Sequence, residues 1–534
     1  MNDISDKIAV IDIGSNSIRL VIFDQLDLAP VSVFNEKELC GIGQNMDQTG
    51  ELYPDGVAQA MRILPRFLKI TQAFAVKQCY IVATSAARDA VGGDIFLKQI
   101  EDLFGQKVML LSGESEGRYS ALGLLAGFVD AHGIMGDLGG GSLELVGINA
   151  PSPAQKSRFA AINETTSLAL GPVRLAAHYR ENPIAARPLI DKALDSLDWL
   201  QAYRGRNFYC VGGAWRNLAK LHMSLYKAKL HVIDHYGFDG DHALEFTKMV
   251  SEMTIDQLLK YPEISKKRAL NMPYSAYLLH LVLKRLEPET VFFSANGLRE
   301  GIVVEAAQRT VDQHDFKPDQ FKNGLKGDDP QSLPLMLACR KLAGQNSLDA
   351  DFIDGEAVYD WLSPLIEAAI AAVLDNQTPP AASPYYNGWR LNILAQAACI
   401  LCDFGSEEHP DYRSDHAAMR ILRSSIVGLS HEERMFLAAT LCTRFGGSAK
   451  QNPDLSDFQT SPLYRFSLLM GAALRFAYLL SLGQDRFLNA YRIALVGGQL
   501  QLVIADPAIP LHQGEAIQKR LQMVNKQLAL IFNS

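Results

Sequence analysis

The sequence predicts an α/β protein in which two similar lobes are followed by a helical domain and a small α+β segment. Three observations support this fold class. Strand-like and helix-like segments alternate up to about residue 308, two hairpin-like segments in that region match each other, and residues 333–482 have almost purely helical periodicity. At 534 residues, the chain is also too long for a single hydrophobic core.

Short β-rich runs bounded by turn residues predict the strands of the first part of the chain. These runs are residues 8–13, 19–23, 79–83, 107–111, 134–137, 143–148 and 208–211. Segments of helical periodicity lie between them, among them residues 55–73, 116–128 and 188–203. The alternation indicates strands covered by helices.

Composition shifts divide the chain further. Residues 310–332 are polar, with proline, glycine and charged residues clustered, which is typical of a linker. Near the C-terminus, residues 492–505 predict a strand pair around two glycines, and residues 514–531 predict a helix. The predicted parts are lobe I (1–130), lobe II (131–309), the linker (310–332), the helical domain (333–485) and the α+β segment (486–534).

The composition is that of an ordinary globular protein, with 48% apolar and 21% charged residues. A formal net charge of −8 gives the chain no general attraction for polyanions, so we expect no nucleic-acid partner. A polyanionic ligand would need a locally basic cleft.

The cysteines and the apolar runs bear on the compartment. Seven scattered cysteines suit a reducing compartment, and we expect a cytoplasmic protein. We interpret Cys399 and Cys402, which form a C-x-x-C, as core thiols. No signal peptide and no run of about 18 apolar residues is visible, so we expect no membrane span.

Two segments of the first part match each other. Residues 11–23 read IDIGSNSIRLVIF and residues 136–148 read GDLGGGSLELVGI, and each has the form strand, tight Gly/Ser turn, strand. The pattern predicts duplicated lobes. The matched pairs are Asp12 with Asp137, Gly14 with Gly139, Ser17 with Ser142, Leu20 with Leu145, and Val21 with Val146.

The hairpin register predicts which side chains face each other. A turn centred between Gly140 and Gly141 places Asp137 opposite Glu144, whereas the first hairpin places Asp12 opposite Arg19. Two opposed carboxylates destabilise a ladder unless a positive charge lies between them. A hard divalent cation is the natural candidate, and magnesium keeps most of its waters when one or two carboxylates hold it.

The glycine-rich turns predict phosphate binding. Backbone without a Cβ can bring its N–H groups close to a phosphate. The alternative is two ordinary hairpins in which Glu144 is solvated and Asp12 and Arg19 form an incidental pair.

Residues 113–117 (GESEG) match the G-x-S-x-G of a serine hydrolase between a strand and a helix. On that interpretation Ser115 is the nucleophile, and the base is one of His178, His222 and His235. The flanking carboxylates Glu114 and Glu116 would oppose charge on the nucleophile. Alternatively, one glutamate is the general base of a phosphohydrolase, or both only complement the helix dipole.

Seven ordered motifs resemble those of the exopolyphosphatase/guanosine pentaphosphate phosphatase family, within the actin, sugar kinase and Hsp70 superfamily. The resemblance covers about residues 7–304 and implies two actin-like (ribonuclease H-like) lobes around a cleft. Longer members carry an HD-like helical domain and a small C-terminal piece, similar to residues 333–534. The motifs are AVIDIGSNSIRL, VATSAARDA, LSGESEGRYSALG, GDLGGGSLELV, LALGPVRL, VGGAWRNLAKL and SANGLREG.

The resemblance implies release of orthophosphate from the end of inorganic polyphosphate, with Mg²⁺ near Asp137 and Glu144, and a homodimer. Glu116 falls on the position of the family's catalytic base. The candidates for extending a basic track are Arg19, Arg118, Arg174, Arg216, Lys220 and Arg268, and the alternative is that each is an ordinary surface residue. The implied phosphate-binding residues are Asp12, Gly14, Ser15, Asn16, Ser17, Arg19, Arg88, Gly139, Gly140, Gly141, Ser142, Gly212 and Gly213.

Several alternatives stay open. Guanosine pentaphosphate is an alternative substrate, and a kinase or chaperone of the same fold or a non-catalytic polyphosphate-binding regulator are alternative functions. The helical region lacks a metal-competent His-Asp set, since His314-Asp315 falls in the predicted linker. His409, Asp411 and His416 are close enough in sequence for a metal site, but we favour a domain that binds polyphosphate or a dimer partner.

Overall fold

The structure is a computed structural model that describes residues 7–149, 161–179, 182–313, 333–344, 354–375 and 387–532. The chain divides into two compact units, Met1–Gln331 and Ser332–Ser534. His314-Asp315 and most of the predicted linker lie outside the described residues.

Lobe I contains a five-stranded sheet. Its strands are β1 (Ile8–Ile13), β2 (Ile18–Phe23), β3 (Ser32–Glu38), β4 (Gln78–Ala83) and β5 (Met109–Leu110). They are arranged in the order β3-β2-β1-β4-β5. The β1–β2 and β2–β3 pairs are antiparallel, whereas β4 lies parallel to β1 and β5 parallel to β4.

Lobe II repeats this arrangement. Its strands are β6 (Gly133–Leu138), β7 (Leu143–Ile148), β8 (Ile162–Leu168), β9 (Asn207–Val211), β10 (Tyr236–Asp239) and β11 (Thr290–Phe293). The order β8-β7-β6-β9-β11 has the same strand directions as the sheet of lobe I, and β10 adds an antiparallel edge. The two sheets therefore have the duplicated topology that the matched hairpins predict.

Helices connect the strands and cover the sheets. They are α1 (Met46–Thr49), α2 (Pro54–Ala73), α3 (Ser85–Asp89), α4 (Gly93–Phe104), α5 (Gly113–Gly127), α6 (Pro172–Tyr179), α7 (Arg187–Asp195), α8 (Gly213–Leu225), α9 (Gly240–Ser251), α10 (Ile255–Leu258), α11 (Lys266–Ala269), α12 (Met272–Leu286) and α13 (Leu298–Gln313). The helix predicted at 188–203 is α7 followed by a 3₁₀ turn at Asp198–Tyr203, because Leu197 leaves helical backbone angles and packs against the core.

Helices α5 and α13 are exchanged between the lobes. Although α5 falls in the predicted lobe I, its Leu124 and Leu125 pack with Met135 and Val146 of the second sheet. Conversely, α13 follows lobe II in sequence, but its Ile302 packs with the first sheet. The chain therefore crosses twice between the lobes.

Glycines allow α5 and α13 to lie in direct contact. A Cβ at Gly123 would lie 2.1 Å from the carbonyl oxygen of Gly297. A Cβ at Gly301 would lie 1.8 Å from the carbonyl oxygen of Tyr119. No side chain fits at either position.

The C-terminal unit is helical with one hairpin. Its elements are α14 (Leu333–Gly344), α15 (Gly355–Asp375), α16 (Gly388–Ile400), α17 (Arg413–Arg423), α18 (His431–Arg444), α19 (Leu463–Ser481), α20 (Asp485–Leu488), β12 (Tyr491–Val496), β13 (Gln499–Ile504) and α21 (Glu515–Phe532). Gly497 and Gly498 have φ of 58° and 76°. A two-residue hairpin turn with positive φ at both central positions favours glycine there.

Two helices of this unit, α15 and α19, are long and apolar enough to cross a membrane by length and composition alone. Core helices of soluble proteins pass the same test, and α19 packs against α18 and α21. The expectation of no membrane span stays a prediction.

In this unit the candidate metal ligands have separate partners, and the two candidate redox cysteines are buried. His409 Nδ1 lies 3.9 Å from Asp411 Oδ2 on the surface, while His416 Nδ1 contacts Glu408 Oε2 at 3.1 Å. Within the described ranges, no group of three or more His, Cys, Asp or Glu residues could hold a metal ion. Cys399 and Cys402 are buried free thiols with pKa values raised by burial, which confirms their interpretation as core residues.

We expect Gly301→Ala to destabilise the protein by about 1–3 kcal/mol, because its Cβ would force α5 and α13 apart. Equilibrium urea denaturation measures this loss. Gly213→Ala is the control, since a Cβ there meets nothing within 4 Å. Equal stability of the two variants would contradict close helix contact.

Candidate active site

A cleft of about 620 Å³ lies between the two hairpin turns in the N-terminal unit. Gly14 and Ser17 line it from the first hairpin, and Gly139 and Ser142 line it from the second. Each turn is closed by one equivalent hydrogen bond of 3.1 Å, from Gly14 N to Ser17 O and from Gly139 N to Ser142 O. The match between the two sequences is therefore also a match in backbone conformation.

The predicted hairpin register is confirmed. In the β1–β2 ladder Asp12 lies opposite Arg19, and in the β6–β7 ladder Asp137 lies opposite Glu144. The same ladder position thus carries a cation in one lobe and a carboxylate in the other.

In the first turn, the carbonyl oxygens accept hydrogen bonds from backbone N–H groups of the loop that follows β3. Ser15 O accepts from Gly43 N at 2.8 Å, and Asn16 O accepts from Gly41 N at 3.0 Å. The N–H groups of Ser15 and Asn16 have no acceptor among the described residues.

The second turn repeats this pattern. Gly140 O accepts from Val173 N and Gly141 O from Gly171 N, both at 3.1 Å. In the described part of the chain, nothing accepts from the N–H groups of Gly140 and Gly141. Each turn therefore has occupied acceptors and two available donors, which is the chemistry of an anion-binding nest.

The two turns lie close to each other. A Cβ at Gly141 would lie 3.5 Å from the hydroxyl oxygens of Ser15 and Ser85, and one at Gly140 would lie 3.6 Å from Cβ of Asn16. Ser15 Oγ and Ser85 Oγ are themselves hydrogen-bonded at 3.0 Å. A single phosphate chain can therefore contact both turns.

Carboxylates crowd one part of the cleft. Burial raises the pKa of Glu116 well above its ordinary value, and the nearby carboxylates Glu144 and Asp137 raise it further. Burial and Asp137 raise the pKa of Glu144 to about 7. Glu116 lies in the first turn of α5, where the helix dipole favours a carboxylate by only about 0.3–1 kcal/mol, so burial and repulsion dominate.

Hydroxyl groups fix two of these carboxylates. Ser120 Oγ donates to Asp137 Oδ2, and Ser167 Oγ donates to Glu144 Oε1 at 2.8 Å. By contrast, Glu116 Oε2 is buried and has no hydrogen-bond partner among the described residues. A buried polar atom of this kind indicates that a water, cation or substrate completes the site.

The carboxylate cluster fits a hard divalent cation. Its oxygen donors, and a negative charge that Arg88, Arg216 and Arg299 offset only in part, are what Mg²⁺ prefers. Because no three candidate ligands among the described residues are placed to enclose a metal, such an ion would keep most of its waters. Asp137 and Glu144 are the residues that would hold it.

Cations converge from several elements onto the same cleft. Arg299 Nη1 contacts Asp12 Oδ2 at 3.3 Å, while Arg19 Nε donates to Asn35 Oδ1 at 2.7 Å. Burial, with Arg299 and Arg216, lowers the pKa of Arg19 to about 10. Burial and neighbouring cations also lower the pKa of Lys37. An anion in the cleft would relieve this repulsion.

Most of the predicted site residues come together in this cleft. Glu144 is buried behind the lining, and Gly141 adjoins it. Of the candidates for a basic track, Arg216 and Arg268 are lining residues, whereas Arg118, Arg174 and Lys220 are not. The predicted residues that line the cleft are Asp12, Gly14, Ser15, Asn16, Ser17, Arg19, Glu116, Asp137, Gly139, Gly140, Ser142, Gly212 and Gly213.

Arg88 does not line the cleft. Its Nη1 donates to Leu111 O at 2.9 Å, and its Nε pairs with Asp89 Oδ1 at 2.8 Å. Its charge nevertheless lowers the pKa values of Glu116 and Glu144. In this structure Arg88 acts on the carboxylates electrostatically, and its phosphate contact stays a prediction.

The lining residues that sequence reasoning missed include the cations Lys37 and Arg299 and the hydroxyl residue Ser85. Lys37 lies opposite Arg19 across the β2–β3 ladder, but the polar strand β3 has no recognisable hydrophobic alternation. Ser85 lies within the motif VATSAARDA and Arg299 within the motif SANGLREG. The motifs that carry the family resemblance could therefore have identified both residues.

The serine hydrolase alternative has no geometric support. Ser112 Oγ caps Ser115 N at 3.1 Å and donates to Ser115 Oγ at 3.0 Å. None of the candidate bases bonds to Ser115 in the described structure: His178 contacts Arg174 O, His222 contacts Tyr236 and His242, and His235 contacts Asp234.

Family comparisons cover both units. The model of the Ppx/GppA phosphatase family matches residues 21–310, and the model of the exopolyphosphatase C-terminal region matches residues 391–530.

Three curated relatives of this chain carry three different names. Retrograde regulation protein 2 of Saccharomyces cerevisiae is 23% identical over 83% of this chain and 74% of its own length. Guanosine-5'-triphosphate,3'-diphosphate pyrophosphatase of Photobacterium profundum is 24% identical over 59% of this chain and 62% of its length. Exopolyphosphatase 2 of Mycobacterium tuberculosis is 33% identical over 26% of this chain and 47% of its length.

A solved structure has the same N-terminal fold. An exopolyphosphatase from Cytophaga hutchinsonii aligns with a TM-score of 0.51 and 22% identity over 57% of this chain and 98% of that chain. The predicted fold class of two actin-like lobes followed by a helical region and a small C-terminal α+β piece is confirmed.

We expect Mg²⁺ to raise the thermal unfolding temperature more at pH 8 than at pH 5.5. The pKa of Glu144 is raised to about 7, so its carboxyl is protonated at pH 5.5 and ionised at pH 8. Protonation stabilises the metal-free fold at low pH, and this contribution is lost as the pH rises through 7. Mg²⁺ therefore has more to stabilise at pH 8, where the carboxylate is charged. Mg²⁺ at a hundredfold excess over its Kd contributes about 2.7 kcal/mol. Differential scanning calorimetry measures both effects.

The matched variants for this experiment are Glu144→Gln and Glu114→Gln. Glu144→Gln should lose most of the rise in unfolding temperature that Mg²⁺ causes. Glu114→Gln should keep this rise, because Glu114 is exposed. A Mg²⁺ effect that is independent of pH and of Glu144 would rule out this cation site.

Proposed function

This chain belongs to the Ppx/GppA phosphatase family, and on that basis we propose that it is an exopolyphosphatase that releases orthophosphate from the ends of inorganic polyphosphate. The family, and the relatives named as an exopolyphosphatase and as a guanosine-5'-triphosphate,3'-diphosphate pyrophosphatase, are phosphoanhydride hydrolases, and so is this chain. The proposal concerns the substrate and the roles of individual residues.

The observation that carries the proposal is the pair of matched turns. Ser15 and Asn16 in one turn, and Gly140 and Gly141 in the other, offer backbone N–H groups to the same cleft. A linear polyphosphate presents anionic oxygens on successive phosphorus atoms. Two adjacent nests therefore suit two neighbouring phosphates of one chain.

Charge in the cleft gives the bound chain a direction. Glu116 and Asp137 line the cleft, with Glu144 behind them, while Arg19, Lys37 and Arg299 line it as cations. A chain would place its terminal phosphate beside the carboxylates and its inner phosphates against the cations, which stabilise the negative charge of the leaving chain.

We assign the role of general base to Glu116. Burial and the neighbouring carboxylates raise its pKa, which makes its carboxylate a stronger proton acceptor, and its buried Oε2 is available to a water. As this water attacks the terminal phosphorus, its proton passes to Glu116. The phosphoanhydride P–O bond breaks, and its electron pair leaves on the shortened chain.

Magnesium, when bound by Asp137 and Glu144, would supply Lewis-acid stabilisation of charge on the phosphoryl oxygens. The chain's own part is to hold these ligands: Ser120 orients Asp137 and Ser167 orients Glu144. Gly212 allows the β9–α8 turn to pass close by, since a Cβ there would lie 2.7 Å from Asp137 Oδ1.

The cleft wall supports polyphosphate over guanosine pentaphosphate. Among the described residues that line the cleft there is no Phe, Tyr, Trp or His. A purine base would therefore find no aromatic side chain on which to stack. Guanosine pentaphosphate remains the alternative substrate.

The remaining assignments are proposals of the same kind. We retain a homodimer, and a C-terminal unit that binds polyphosphate or the dimer partner. We also retain the cytoplasm as the compartment, which the seven free thiols support. A non-catalytic regulator would need the two turns but not a buried base at position 116.

We expect Glu116→Gln to lower phosphate release from long-chain polyphosphate by about 10²-fold or more, because the amide cannot accept the proton of the attacking water. Polyphosphate binding should be retained. A colorimetric phosphate assay with Mg²⁺, together with calorimetric binding, measures both quantities.

Glu114→Gln is the matched control for this experiment, since it lies two residues away on the same helix but is exposed. It should keep wild-type activity. Full activity in Glu116→Gln would exclude it as the base, and inactive wild-type protein that still binds polyphosphate would favour the regulator.

We also expect kcat/KM for polyphosphate to exceed that for guanosine pentaphosphate by about tenfold or more. Without an aromatic side chain to stack on, the purine of guanosine pentaphosphate lacks about 1–3 kcal/mol of binding free energy. Competition assays with both substrates measure the ratio. A ratio below one would transfer the proposal to guanosine pentaphosphate.

A further inference from the structure

Backbone carbonyls, rather than a carboxylate, hold the cleft residue Arg216. Its Nε donates to Ser294 O at 2.8 Å, and its Nη2 donates to Asn296 O at 3.0 Å. No described carboxylate lies within ion-pair distance of it. Neutral acceptors leave its positive charge available to an anion in the cleft.

The two carbonyls belong to the loop of residues 294–297, which connects β11 to α13. Internal bonds shape this loop: Asn296 N donates to Ser294 Oγ at 3.1 Å, and Gly297 N donates to Glu300 Oε2 at 2.9 Å. Ser294 N is anchored to Cys210 O on the neighbouring strand at 3.0 Å.

One side chain from a distant part of the sequence holds the middle of the loop. Ala295 N donates to Asp234 Oδ1 at 3.0 Å. Asp234 is only 9% exposed and does not line the cleft. It is therefore placed to act on the loop and not on a ligand.

Asp234 is itself firmly oriented. Its second oxygen, Oδ2, lies 3.2 Å from Nδ1 of His235, whose ring stacks on Phe128 with a centroid separation of 3.8 Å. His235 has a φ of 59°, a left-handed conformation that disfavours residues with a Cβ. The Asp234–His235 pair packs against the end of α5, at Gly127 and Phe128.

We propose that Asp234 is a positioning residue for Arg216: it anchors the 294–297 loop, whose carbonyls direct the Arg216 guanidinium toward phosphate in the cleft. The ligand class rests on the proposed function. The structural basis is the continuous chain of contacts from Asp234 through Ala295, Ser294 and Asn296 to Arg216.

The geometry explains why a fixed loop matters for binding. A guanidinium has five N–H donors in a planar fork, and two are used by the loop. The remaining donors can meet phosphate oxygens only while the plane of the fork is held. The Asp234 carboxylate also partly offsets the lowering of the Arg216 pKa by burial.

Tripolyphosphate binding to the full chain, measured by isothermal titration calorimetry, tests this proposal in a double-mutant cycle. Asp234→Ala should weaken binding about tenfold, because the loop would no longer fix Arg216. In the Arg216→Ala background the same change should weaken binding less than twofold, since both act through one guanidinium. An equal loss in both backgrounds would overturn the proposal.

Two further variants separate positioning from general loss of structure. Asp234→Asn keeps an oxygen that can accept from Ala295 N, so it should restore most of the affinity. Asp239→Ala removes a comparable bond in the same lobe, from His242 N to Asp239 Oδ1 at 2.8 Å, and should lower the unfolding temperature without changing tripolyphosphate affinity. If Asp239→Ala weakens binding as much as Asp234→Ala, the positioning role is wrong.

Kinetics distinguish failure of this inference from failure of the proposed function. If Asp234 acts on binding, Asp234→Ala raises KM for polyphosphate with a much smaller change in kcat. If the wild type binds tripolyphosphate with the expected coupling but releases no phosphate, the proposed activity fails and the positioning role stands. If phosphate is released but the cycle shows no coupling, only the positioning role fails.

Discussion

The site depends on how the two hairpin turns satisfy their own backbone. A tight turn contains donors and acceptors that must be paired. Here Gly14 N and Gly139 N close their own turns, and the carbonyls of the two central residues of each turn accept from other segments of the chain, but the N–H groups of those central residues have no acceptor in the described structure. Gly41 and Gly43 bond the first turn, and Gly171 and Val173 bond the second. This constraint leaves N–H groups of both turns for a ligand. It also makes the loops that follow β3 and β8 part of the site, although they contribute no catalytic group.

The charges of the cleft form two opposed sets, each unfavourable by itself. Burying Glu116 close to Asp137 and Glu144 raises the pKa values of the carboxylates. Burial, together with crowding by other cations, lowers the pKa values of Arg19 and Lys37. Either set is relieved by the partner that the proposed reaction supplies: a divalent cation for the first and a phosphate chain for the second. The site is therefore organised around ligands of opposite charge.

Sequence predicted the parts of this site that depend on local rules. A strand has a side-chain period of two, so the position of the turn alone fixes that Asp137 lies opposite Glu144. The contributions of Lys37 and Arg299 depend on tertiary structure. Strand β3 is a polar edge strand, and α13 returns from lobe II to the first sheet, so neither residue could be placed by periodicity. The partners of Arg88 likewise depend on tertiary structure, since its Nη1 donates to Leu111 O on a distant segment of the chain.

The matched hairpins of the two lobes differ in charge at one ladder position. Both hairpins keep an aspartate at the end of the first strand and the same closed turn. Opposite that aspartate, lobe I has Arg19 and lobe II has Glu144. In lobe I the aspartate pairs instead with Arg299, so the first hairpin joins the cationic set. In lobe II two carboxylates face each other beside Glu116, and the proposed metal site and general base rest on this arrangement. A single reversal of charge at this ladder position therefore distinguishes two hairpins whose turns are otherwise closed in the same way.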